Sequence, residues 1–134
     1  MIIYLSGPIT GSQNYRQEFS EAKAFWIRRG FEVINPVELD AILPASIIRG
    51  ATEKHYGEEY HKIMDVDLAL LRMCDAVGFL RGWEESRGAV QEYHTAKITR
   101  KKIFTQGKCG WEEDLMAYFS GFPEEEEGSL PFDE

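Results

Sequence analysis

The sequence predicts an α/β domain: an open, doubly wound parallel sheet with helices on both faces and ligands at the carboxyl ends of its strands. Three observations predict it. Short apolar runs alternate with segments of helical periodicity. Two of those runs, Ile2–Leu5 and Ala76–Leu80, are each followed by a glycine-bearing turn and then a helix. The first strand, helix and second strand make half of a βαβ unit, which requires a right-handed crossover and a parallel pair.

Taken in order, Ile2–Leu5 is the first strand, and Ser6–Ser12 breaks it with turn residues. From about Tyr15 to Arg29, Phe19, Ala22, Phe25 and Trp26 recur at helical spacing, and Gly30 stops the helix. Phe31–Ile34 is the second strand, closed by Asn35-Pro36. Residues 37–56 carry Leu39, Ile42, Leu43, Ile47 and Ile48 as short helical turns interrupted by Pro44, an insertion long enough to cover a site. A helix follows over 58–73, with Ile63, Val66, Ala69, Leu70 and Met73 as its expected apolar stripe. Ala76–Leu80 is the third strand, 87–98 a helix, Lys102–Thr105 a fourth strand and Glu112–Phe119 a short last helix. Residues 1–122 form the expected domain, and 123–134 an acidic tail.

Composition narrows the function. At 134 residues the chain suits one domain with one sizeable core, and 43% hydrophobic and 13% aromatic residues are globular values. Of 23 acidic residues six lie in 121–134, leaving 17 against 15 bases in the body. A near-neutral body with an acidic tail argues against a nucleic-acid backbone as partner. Cys74 and Cys109 have no metal or redox spacing, and Cys74 reads as core. The expected setting is a reducing cytoplasm, with no signal peptide and no membrane span. His55, His61 and His94 lack metal-ligand spacing, so neither a metal nor a cofactor is expected.

The groups with chemistry lie where the strands end. Gly7 and Gly11 flank Pro8-Ile9-Thr10, a loop whose main chain can approach an anion closely or can be an ordinary turn. Ser86 reads as an N-cap with Gly88 in the first helical turn, a geometry that suits a phosphate. Glu92 shares a helix face with Ala89 and Ala96, and such small neighbours leave a hollow. A carboxylate in that hollow needs partners, whereas on periodicity alone Glu92 is a surface residue. Asp65 and Asp67 compete for an inward position on the preceding helix, and spacing does not choose between them. Trp83 can stack on a base or pack.

In register, these pieces resemble the nucleoside 2-deoxyribosyltransferase superfamily, especially its short bacterial and viral members. The matching segments are Ile3–Gly11, Val33–Pro36, Asp67 with Cys74–Val77, and Gly82–Ala89 with Glu92 and Ala96, together spanning roughly residues 1–106. The resemblance implies a Rossmann-like (flavodoxin-like) parallel sheet of four to five strands and a homodimer or larger homo-oligomer. It implies cleavage of the N-glycosidic bond of a deoxynucleoside or its 5′-monophosphate, by hydrolysis or transfer. Glu92 is then the nucleophile and Asp67 its assistant, which decides between the two aspartates. Gly7, Ile9, Thr10, Gly11, Ser86 and Gly88 take the phosphate positions, and Trp83 joins the substrate site. The alternative is a non-catalytic nucleotide or ADP-ribose-like sensor. Two departures stand out: His94 and Thr95 replace smaller residues and are expected to narrow the pocket, and Ile98–Lys101 replaces a glycine-bearing turn.

Overall fold

A computed structural model describes residues 1–9, 13–44, 58–108 and 110–111. Four strands, β1 (Ile2–Ser6), β2 (Glu32–Ile34), β3 (Ala76–Phe79) and β4 (Lys102–Thr105), form one parallel sheet in the order β2-β1-β3-β4. Three α-helices connect them: α1 (Tyr15–Arg28), α2 (Glu58–Arg72) and α3 (Arg87–Ile98). The chain steps outward from β1 to β2, then returns past β1 to β3 and β4. Because each crossover is right-handed, that reversal sends α1 to one face of the sheet and α2 and α3 to the other. The fold is the expected doubly wound α/β sheet.

Strand alternation sorts the core into two clusters. Ile3 and Leu5 of β1, Ala76 and Phe104 pack under α1 against Phe19, Ala22 and Trp26. Tyr4, Val77 and Phe79 face the other way, toward Leu71, Cys74 and Ala96. Trp26 is fully buried, and its ring lies about 5 Å from those of Phe25, Phe31, Phe104 and Trp111. Gly78 makes room for this group: a Cβ there would stand 3.2 Å from Ile3 Cδ1 and 3.4 Å from the Trp111 ring. Trp111, which the sequence reading passed over, is thus a core residue on the α1 side.

Two expectations need correction. β1 runs through Ser6 rather than stopping at Leu5, because Ser6 pairs with Phe79 and its carbonyl accepts from Leu80 N–H at 2.7 Å. The expected stripe of α2 meets the core only in part, through Leu70, which packs beside Leu71. Met64 and Leu71 are buried, whereas Val66 is 47% and Met73 72% exposed. Buried Cys74 fixes the phase: counting back from it by helical steps gives 71, 67 and 64, with Leu70 at the edge of that face and Val66 outside it. Residues 37–56 are described as far as Pro44, with a 3-10 turn over Pro36–Ala41. Thr10, Gly11, Ile47, Ile48, His55, Cys109, the last helix at 112–119 and the tail at 123–134 lie outside the described residues. No helix among the described residues is long and apolar enough to cross a membrane.

The turn that departs from the resembling family carries Arg100 at φ 59°, a left-handed conformation that ordinarily belongs to glycine. Arg100→Gly is expected to raise stability by up to about 1 kcal/mol, seen as a higher denaturant midpoint at unchanged slope. The opposite result is expected at the end of β1. A Cβ on Gly7 would lie 2.8 Å from Leu80 Cβ, an atom held by its own strand end. Gly7→Ala should lower stability by about 1–3 kcal/mol in the same measurement.

Candidate active site

A doubly wound sheet opens at the point where its strand order reverses, between β1 and β3. Two turns meet there. Gly7 follows β1 and rests on Leu80, and Gly82 follows β3 in a left-handed conformation, φ 88°, with Pro8 Cγ 3.5 Å from where its Cβ would be. The second turn winds through a 3-10 segment, Trp83–Glu85, and ends at Ser86. Ser86 adopts extended backbone and its Oγ accepts from Ala89 N–H at 3.3 Å. It is the N-cap of α3. The first amides of the helix, including that of Gly88, have no acceptor within the helix.

This start sets the phase of α3. Ala89, Glu92 and Ala96 form its buried face, with Glu92 only 6% exposed. The two alanines let the helix lie close to the sheet, and the glutamate side chain then reaches β1. Tyr4 Oη donates to Glu92 Oε2 at 2.6 Å, and Ser6 Oγ donates to Oε1 at 2.5 Å. Both donors come from one face of one strand, two residues apart. Burial raises the Glu92 carboxyl from its ordinary 4.5 to about 7, while the bonds from Ser6 and Tyr4 favour the charged form and limit the rise. Burial and the Glu92 charge together push the Tyr4 hydroxyl well above its usual value, so it serves as a donor and not as a base.

Asp67 lies on the inward phase of α2, half-buried, with Oδ1 shielded from solvent. Its charge also raises the Tyr4 hydroxyl, so Asp67 and Glu92 act electrostatically on the same phenol. Asp65 is exposed. Trp83 stacks on Tyr93 at 4.7 Å between ring centroids and packs on Phe79 at 5.0 Å, remaining half-buried. Ile9 sends its side chain into the α1-side core, so its backbone is what borders the turn. His94 is exposed and the Thr95 hydroxyl folds back to Gln91 O at 3.1 Å, so neither narrows the Glu92 side of the helix. Burial pushes the Cys74 thiol up to about 11, which keeps it protonated and unreactive. Among the described residues no three His, Cys, Asp or Glu side chains cluster as metal ligands.

Tyr4 and Ser6 were not singled out from the sequence. Their signal was the period-two spacing at the end of β1, where Tyr4 and Ser6 follow Ile2 on the face opposite Ile3 and Leu5.

A family model covers residues 1–105 and is described as Domain of unknown function (DUF4406). The chain belongs to that family. No curated protein sequence matches it. Among solved structures, this DUF4406 member is similar to a 2-deoxyribosyltransferase from the psychrotolerant bacterium Bacillus psychrosaccharolyticus. The TM-score is 0.57 at 20% identity, covering 78% of this chain and 71% of that one. That enzyme is described as a biocatalyst for nucleoside synthesis. The likeness shows a shared fold, including the four-stranded parallel sheet.

The raised carboxyl has a consequence for stability. In the folded protein Glu92 holds its proton more tightly than in the unfolded chain, so its own contribution to stability is full below about pH 4.5 and is lost as pH rises through about 7. Glu92→Gln removes this term. The variant should be more stable than wild type at pH 8, by up to roughly 3 kcal/mol. The gap should shrink toward pH 5, as followed by thermal melts across that range.

Proposed function

We propose that this protein cleaves the N-glycosidic bond of a deoxynucleoside or its 5′-monophosphate. The observation that carries the proposal is a buried carboxylate, gripped at both oxygens by hydroxyls of β1, at the switch point of a doubly wound sheet. A buried glutamate with no charged partner among the described residues is unfavourable for stability, which is the pattern of a working group. The fold it shares with a 2-deoxyribosyltransferase supports the same chemistry.

In this reading Glu92 attacks C1′ of the sugar as the C1′–N bond breaks. The bonding pair leaves with the base, which takes up a proton, and the sugar is held as an ester on Glu92. Water then attacks C1′, loses a proton and frees the carboxylate; a second base in place of water gives transfer. Asp67, beside Tyr4, assists by orienting Glu92 or by handling the proton of the leaving base. Tyr4 keeps its proton throughout and steadies the carboxylate. The turn at Gly7 and Ile9 and the start of α3 at Ser86 and Gly88 supply main-chain amides for a 5′-phosphate. Thr10 and Gly11 complete the same proposal. Trp83 walls the opening from its stack on Tyr93. A homodimer also belongs to this reading, and the exposed Val66, Met73 and Ile98 offer apolar surface for it.

Incubation with a panel of deoxynucleosides and their 5′-monophosphates should release free base, followed by chromatography. Glu92→Gln should lose that release by at least about a thousandfold, and kcat/KM of the wild type should fall as pH drops below about 7, where Glu92 becomes protonated. Full turnover in Glu92→Gln sinks the nucleophile assignment. Tight nucleotide binding by calorimetry with no base released by the wild type favours a sensor instead.

A further inference from the structure

We infer that Ser6 is a positioning residue that selects which oxygen of Glu92 faces the ligand edge and holds it there. The inference rests on reading Glu92 as the nucleophile, and it concerns a residue that the fold likeness does not assign.

The two donors are not equivalent. Residues of a strand rise about 3.3 Å each, so Ser6 stands some 6.5 Å further along β1 than Tyr4. Ser6 is the last residue of the strand, beside the turns at 7–9 and 81–86. Its partner, Oε1, is therefore the oxygen on the side of those turns, while Oε2 is held from below by Tyr4. Ser6 itself cannot drift. It is 1% exposed, its carbonyl is tied to Leu80 N–H, and Gly7 after it is wedged against Leu80 Cβ.

One lone pair of Oε1 accepts from Ser6, and the other is left for C1′. When Oε1 attacks, the C1′–N pair departs with the base and Ser6 retains its proton. Its bond then passes from a charged oxygen to an ester oxygen and weakens. Ser6 therefore orients the attack and slightly restrains it. The groups that face the carboxylate bear this out. β1 contributes Tyr4 and Ser6, α2 contributes Asp67 by way of Tyr4, and on α3 the flanking residues are the uncharged Ala89 and Ala96. Of the two bonds that favour ionised Glu92, that from Ser6 is the stronger influence.

The test is a carboxyl titration of Glu92 by ¹³C NMR on the complete, ligand-free chain, with the resonance assigned by its loss in Glu92→Gln. Ser6→Ala should make Glu92 a roughly tenfold weaker acid, and Ser6→Thr, which keeps a hydroxyl, should restore the wild-type titration. In the base-release assay the acid limb of kcat/KM should move up by the same factor in Ser6→Ala, with KM nearly unchanged. An unmoved titration in Ser6→Ala, or one in Ser6→Thr that follows the alanine variant, overturns the inference. If Ser6→Ala does not fold, Ser6→Cys, similar in size and a weak donor, is judged by the same criterion. The titration decides on Ser6 even if the wild type releases no base. Active release with an unmoved titration would leave Glu92 its role and reduce Ser6 to packing.

Discussion

The carboxylate of Glu92 lies under the protein because two hydroxyls of β1 meet it. Each part of the architecture bears on that contact. β1 is central, paired to β2 on one side and β3 on the other, so Tyr4 is held between both neighbours and Ser6 by β3. α3 has to approach closely enough for a glutamate side chain to span the gap, and Ala89 and Ala96 permit it. The rotation of α3 is set at its first turn by the Ser86 cap. A slip of one residue in the β1–β3 register would turn Ile3 and Leu5 toward Glu92 and leave it without donors.

Most of the fold was legible, because each element carries the period of its own geometry. The bounds of α3 and β4 follow from periodicity as they stand, and the other strands and helices differ by a residue or so at an end. The buried face of α3 was also legible in outline, since alanines three before and four after a glutamate mark one stripe. What the pattern could not supply was the choice between two equally apolar faces. α2 has such a pair, 63/66/70/73 and 64/68/71, and the phase was decided outside the helix, at Cys74 and the strand it introduces.

The same limit hid Tyr4 and Ser6. Alternation along β1 shows that they share a face, but which helix covers that face depends on where the chain reverses direction across the sheet. Serine before glycine also reads as a turn. Here β3 pairs with it and prolongs the strand, a tertiary effect that local preference does not contain. Trp111 was obscure for a related reason. Its place in the core exists because Gly78, thirty-odd residues earlier, leaves the space. Asp67 had a clearer cue once Cys74 was taken as buried, since counting back from it by helical steps reaches Leu71 and then Asp67.

Under the proposed chemistry, burial and hydroxyl donors act on Glu92 in opposite directions, and both are needed. A carboxylate fully in water is stabilised as an ion and loses that solvation when it attacks. Desolvation raises the energy of the charged reactant, while the neutral ester that replaces it is little affected by burial. Carried too far, the same effect would keep the group protonated at neutral pH and remove the nucleophile. The donors on Tyr4 and Ser6 offset part of the burial without supplying a counter-charge that would hold the ion in place. The outcome is a carboxyl near 7: ionised in a large fraction of molecules at neutral pH, yet less stabilised as an anion than in water. An arginine or lysine in place of the hydroxyls would have lowered the carboxyl further, and with it the drive to form the ester. Two neutral hydroxyls on a fixed strand therefore suit a buried nucleophile better than a salt bridge would.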